Sequence, residues 1–137
     1  MKYKELKVLV SALLVGDNRI TSNEAELKSL LMLAFNDIAS RAQSLRLMTK
    51  SMNKEVLRGS VGDYLTRYPE LPENDESELD MDKDLCFAAA RFMASYVSKN
   101  KPAVHVEEGE KMIRLFNGKV NSMIESFMID EEGNGYV

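Results

Sequence analysis

Apolar positions along the chain recur mostly with a helical period, in four stretches. Over 3–15, Leu6, Leu9, Val10, Leu13 and Leu14 line one face, and Gly16-Asp17-Asn18 stops the run. Val8, Val10 and Val15 are β-branched and also suit strands, so the period decides for a helix. Thr21/Glu24 and Asn23/Glu26 both stand at capping-box spacing. The wide stripe of Leu27, Leu30, Leu31, Ala34, Phe35, Ile38 and Ala42 then predicts a second helix over 23–44.

A different punctuation precedes the third stretch. Pro69 and Pro72 bias Tyr68 and Leu71 toward extended backbone, so an acidic strap follows in which no helix can run. Asp80 is the expected cap of a helix over 80–98, with Asp82 and Asp84 in its first turn, where amides and the dipole favour anions. Its stripe is Leu85, Ala88, Ala89, Phe92, Tyr96 and Val97. The two alanines leave room for a close neighbour, while Phe92 and Tyr96 are expected to supply buried area. The polar run Ser98 to Pro102 reads as a break, and the fourth helix is expected over 106–128. It would bury Met112, Ile113, Phe116, Val120, Met123, Ile124 and Phe127. Phe92 and Phe116, each central to its stripe, are expected in one core. Gly109 and Gly118 each cost up to ~1 kcal/mol relative to Ala, and Gly118 reads as a close crossing or kink.

Two segments break the helical period. Leu45, Leu47 and Thr49 alternate with polar or flexible neighbours, and Val56 to Gly59 answers as a second short strand. A small hairpin over 45–60 is one reading; continuation of the second helix to about Met52 is the other. A lone hairpin is marginal in water, so it would pack on the bundle or pair with another subunit. Residues 129–137 carry two glycines and no period, and read as a flexible tail. The expected fold is therefore mainly α: a four-helix, bundle-like single domain over 1–128 with a tail over 129–137.

A length of 137 residues suffices for one core without metals or disulfides. Residues 1–67 carry 11 Lys/Arg against 7 Asp/Glu, and residues 68–137 carry 7 against 15. Opposed halves suit contacts between subunits around a ring, or two solvated faces of a monomer. The cations are scattered without an aromatic platform, which argues against specific nucleic-acid binding. No apolar run approaches about 20 residues, and the basic start lacks a signal-peptide cleavage site.

Candidate chemistry is sparse. Asp80-x-Asp82-x-Asp84 resembles the start of a calcium loop, but Leu85 stands where such a loop needs Gly and Arg91 where it needs Glu. Cys86, the single cysteine, reads as an inert, partly buried thiol beside the third stripe. His105, the single histidine, reads as a surface residue before a helix, with no zinc-ligand spacing around it. No phosphate-cradling glycine loop or nucleophile elbow is present, so the chain reads as non-enzymatic and without metal or cofactor. The nine methionines sit mainly at stripe positions, as gap-fillers of a core or an interface.

The motif Tyr68-Pro69-Glu70-Leu71-Pro72, the acids from Asp75 to Asp84 and the segment from Leu85 to Tyr96 together resemble the head-to-tail adaptor (connector) proteins of tailed bacteriophages. The likeness spans 24–130 in element order and 68–99 in residue detail. It implies a structural virion protein, made in the host cytoplasm and placed at the head–tail junction. There it would form a ring of about twelve copies beneath the portal, touch tail or nozzle proteins, and pass DNA without binding it specifically. It further implies that the tail, through Ile129, Tyr136 and Val137, docks on the portal and orders there. Leu47, Val56, Tyr68 and Leu71 are the implied subunit contacts. The alternative is a small, non-enzymatic, phage-encoded helical module that binds or regulates another protein.

Overall fold

A computed structural model describes residues 1–42 and 69–128, with side chains through 119. It contains four helices: α1 (Tyr3–Leu13), α2 (Glu24–Ala39), α3 (Lys83–Val97) and α4 (Pro102–Met128). Each start has a local chemical cause. The Glu5 carboxylate accepts from the Lys2 amide at 3.0 Å at the head of α1. The Asn23 side chain accepts from the Glu26 amide at 3.1 Å and caps α2, as one of its two capping spacings predicts. Asp82, not Asp80, caps α3, accepting from the Asp84 amide at 2.9 Å. Asp80 instead accepts from the Glu70 amide at 2.9 Å, cross-linking the strap. The cap therefore lies two residues later than expected.

The fourth helix departs in the other direction. It starts at Pro102 rather than near residue 106. Proline fits a first helical position because that position needs no N–H and wants φ near −65°. The apparent break is thus a start signal. At its other end α2 stops at Ala39, short of residue 44. The Ser40 hydroxyl and the Arg41 guanidinium both donate to the Asp37 carbonyl at 2.9 Å and close the last turn. The 45–60 hairpin lies outside the described residues, and among those described no strand forms beyond one antiparallel bridge between Lys2 and Glu78.

Helix α3 is the axis of the bundle and packs on all three others. Cys86, Ala90, Met93 and Ala94 are buried as well as Leu85, Ala88, Ala89 and Phe92, so its apolar surface extends well beyond one stripe. Cys86 is accordingly inside the core rather than beside it; its Sγ donates to the Met81 carbonyl at 3.6 Å. Phe92 and Phe116 share that core, as do Leu6, Val10, Leu31, Ile38 and Ile113. Tyr96 departs from expectation: it lies at the rim, 37% exposed, with its hydroxyl on the Asp37 carboxylate.

Of the two glycines in α4, Gly109 and not Gly118 marks a close approach of helices. A Cβ on Gly109 would sit 3.2 Å from two ring carbons of Phe92, whereas one on Gly118 would meet nothing within 4 Å. Lys119 reaches back to Asp84 in the first turn of α3, so the final turns of α4 run on beyond the start of α3. No helix among the described residues is long and apolar enough to cross a membrane.

Candidate interaction surface

The strap over 69–82 is built onto α1 by backbone and charge together. Tyr3 N donates to Ser77 O at 2.9 Å, Lys4 N to Asp75 O at 3.1 Å, and Leu79 N to Met1 O at 2.8 Å. The first two of these bonds use amides that the first turn of a helix otherwise leaves unpaired. Pro69, Pro72, Leu79 and Met81 are buried beneath the strap, and Leu71 is half-buried against the same core. Of the four implied subunit-contact residues, Leu71 is therefore partly used within its own chain. Leu47, Val56 and Tyr68 lie outside the described residues, as do Ile129, Tyr136 and Val137 of the tail.

The strap's carboxylates face the lysines of α1. Glu76 accepts from Lys4 at 2.6 Å and from Lys2 at 2.9 Å, which hold its carboxyl down at about 2. Lys7 joins three elements, donating to Asp75 of the strap at 2.6 Å and to Glu24 of α2 at 2.9 Å. Asp75 and then Glu24 raise its ammonium well above the usual lysine value. The Tyr3 hydroxyl completes the junction by donating to Glu24 at 3.0 Å. Burial, then this bond to a carboxylate, pushes the phenol up to about 12. Part of the opposed charge between the chain's halves is thus answered within the chain itself.

A second polar centre, missed by the sequence reading, closes the opposite corner of the bundle. Asp17, in the α1–α2 connection, accepts from the Ser98 hydroxyl, the Lys99 amide at 2.8 Å and the Asn100 amide at 3.2 Å. The Ser98 hydrogen bond, then the two amides, hold its carboxyl below the usual range. Asn18 Nδ2 donates to Val97 O at 2.9 Å beside it. Near this corner His105 is buried inside α4, not on the surface before a helix. The early start at Pro102 turns the ring inward by placing it on the same face as Ile113 and Phe116. Its Nδ1 lies 3.1 Å from the Arg91 guanidinium. The pairing was legible only as a helical register, and that register was hidden by reading Pro102 as a stop.

An open groove of about 510 Å³ runs between α2 and the end of α3, over Ala25, Ser29, Leu30 and Val97, with Arg19 and Glu26 at its edges. Met32 and Leu33 stand exposed farther along α2. Among the described residues no His, Cys, Asp and Glu side chains cluster in a way that could hold a metal ion. Asp80 and Asp82 accept backbone amides instead, and Asp84 pairs with Lys119. These contacts tie the strap, the start of α3 and α4 together. No protein family, curated protein or solved structure matches the chain.

Proposed function

We propose that the chain is a structural adaptor at the head–tail junction of a tailed bacteriophage, forming a ring that continues the portal channel. The observation that carries this reading is the strap. Its prolines and Leu79 are buried, its backbone is bonded to α1, and it leads directly into the buried central helix. A segment fixed in that way presents a rigid acidic edge, with Glu70 and Glu73 exposed, that a neighbouring subunit can meet without ordering a loop. The resemblance over 68–99 rests on the same residues. In this role the residues 129–137 dock on the portal through Ile129, Tyr136 and Val137, tail proteins meet the ring from below, and DNA passes through unbound.

One observation favours the second reading, a helical module that binds another protein without forming a ring. Asp75 and Glu76 satisfy Lys2, Lys4 and Lys7 within the chain, so those charges are not reserved for a neighbour. The groove over Leu30 and Val97 would then receive the partner. Light scattering and electron microscopy of the full chain, alone and mixed with the portal protein of the same genome, test the two. Rings or ring-capped portals are expected. A monomer or dimer that leaves the portal bare would overturn the adaptor reading. Deleting 130–137 is expected to abolish portal attachment while leaving the melting temperature intact.

A further inference from the structure

His105 is the only histidine of the chain, and its ring is 1% exposed. A guanidinium can only donate hydrogen bonds, so the Nδ1 atom beside Arg91 is the bare nitrogen and the ring proton sits on Nε2. Among the described residues nothing accepts from that buried Nε2. The ring is therefore held in one tautomer by a single bond to a cation, the arrangement least able to tolerate a second proton. Charged groups among the described residues bear on this. Arg91 on α3 and Lys101, just ahead of α4, both oppose a positive ring, while Asp17 from the α1–α2 connection favours one. Glu108, one turn farther along α4, lies in the field of Arg91.

We propose that His105 is an acid-sensitive pin, whose protonation releases the start of α4 and the 98–101 turn from the rest of the bundle. The proton arrives from solvent at Nδ1, and the Arg91 N–H loses its acceptor. Two cations then face each other in a buried contact. The new imidazolium is drawn toward Asp17, whose carboxylate otherwise holds the Ser98 hydroxyl and the Lys99 and Asn100 amides. Both changes loosen the same corner. The strap and its lysines hold α1 and α2 independently, so the release is local. Burial, reinforced by Arg91, lowers the affinity of the folded ring for a proton. The pinned state is thus fully favoured above the ordinary histidine value of about 6.5 and loses ground as pH falls through the lowered one.

Hydrogen exchange and ring-proton NMR of the full chain between pH 8 and 5 test the proposal. As His105 titrates, below its ordinary value, amides 99–108 are expected to lose about tenfold or more of their protection after correction for intrinsic rates. The α2 amides from Leu27 to Ile38 should hold theirs. His105→Gln, whose carbonyl oxygen can accept from Arg91 but does not titrate, should remove the acid response. Arg91→Gln should move the titration and the opening together toward higher pH. Should either variant fail to fold, the wild-type titration decides alone. A ring that titrates at or above the ordinary value, or corner protection unchanged across its titration, overturns the pin. So does an acid response retained in a folded His105→Gln chain.

Discussion

Gly109 of α4 lies directly against the ring of Phe92 on α3, so close that a methyl group there would press on the ring. A Cβ there would come within 3.2 Å of Cε2 and Cζ, and within 3.4 Å of Arg91 Cβ. Phe92 is 1% exposed, and a close-packed core leaves such a ring little space into which to move. Helix propensity alone predicts that Gly→Ala stabilises by up to ~1 kcal/mol. At Gly109 the clash is expected to reverse that sign, by about 1–3 kcal/mol as overpacking does. At Gly118, where the same Cβ meets nothing within 4 Å, Ala is expected to stabilise by about 0.5–1 kcal/mol. Chemical denaturation of the two single variants checks the opposed signs; equal shifts in one direction would sink the assignment of the crossing.

Phe92 and Phe116 are expected to be interdependent because they fill one core from α3 and α4. Phe92→Ala and Phe116→Ala should each lose about 3–5 kcal/mol. Their double variant should fall short of the sum, since each cavity relieves packing on the other. Additive losses, or melting temperatures at the wild-type value, would separate the two rings.

Asp82 caps α3 and Asp80 ties down the strap, so the two aspartates fail differently when replaced. Asp82→Ala should cost about 0.5–2 kcal/mol, whereas Asp82→Ser or Asp82→Asn should recover most of it, as expected for a cap. Chelator should leave both the wild-type chain and the variants unchanged. A loss of thermal stability in EDTA would restore the metal reading of this acidic run.

Much of the fold was legible because the bundle's energetics are mostly periodic burial. The stripes of α1, α2 and α4 carried Leu6, Val10, Leu31, Ile38, Ile113 and Phe116 into the core that the period predicts. Element ends were read less well, because single polar groups decide them. Asp80 and Asp82 are chemically equivalent in sequence, and the Glu70 amide, ten residues away, ties the first to the strap. Pro102 reads as a stop or a start according to which side the helix lies, and the wrong choice put His105 outside. Partners distant in sequence were the least legible part of the candidate surface. Nothing local announces that Lys7 meets both Glu24 and Asp75, or that Asp17 closes the α3–α4 turn.

Tyr3 gives the α1–α2–strap junction an alkaline limit. Its phenol is raised to about 12 by burial and by the bond to Glu24, against an ordinary value of 10.0. A group whose folded value lies above its unfolded one stabilises the fold below the unfolded value and loses that contribution as pH rises. Stability should therefore fall between pH 10 and about 12, and Tyr3→Phe should flatten that limb while leaving the neutral-pH fold in place. An unchanged alkaline limb in Tyr3→Phe would assign the loss to other groups.

The strap itself raises the question of what holds it, ion pairs or burial, and the two answers bear differently on its role as an edge. Glu76 and its lysine partners are largely solvent-exposed, and exposed pairs contribute little because water screens them and long side chains must be ordered. Leu79 is 2% exposed and anchors the latter part of the strap in the core. Leu79→Ala should therefore cost about 2–5 kcal/mol, while Glu76→Gln should leave the melting temperature close to wild type. High salt should likewise leave the strap in place, with amides such as Tyr3, Lys4 and Leu79 still slow to exchange. Acid acts separately: the Glu76 pairs persist below the ordinary carboxylate range and are lost only toward pH 2. If Glu76→Gln or moderate salt instead freed those three amides, the strap would be an electrostatic latch. It could then no longer serve as the preformed edge on which the ring reading depends.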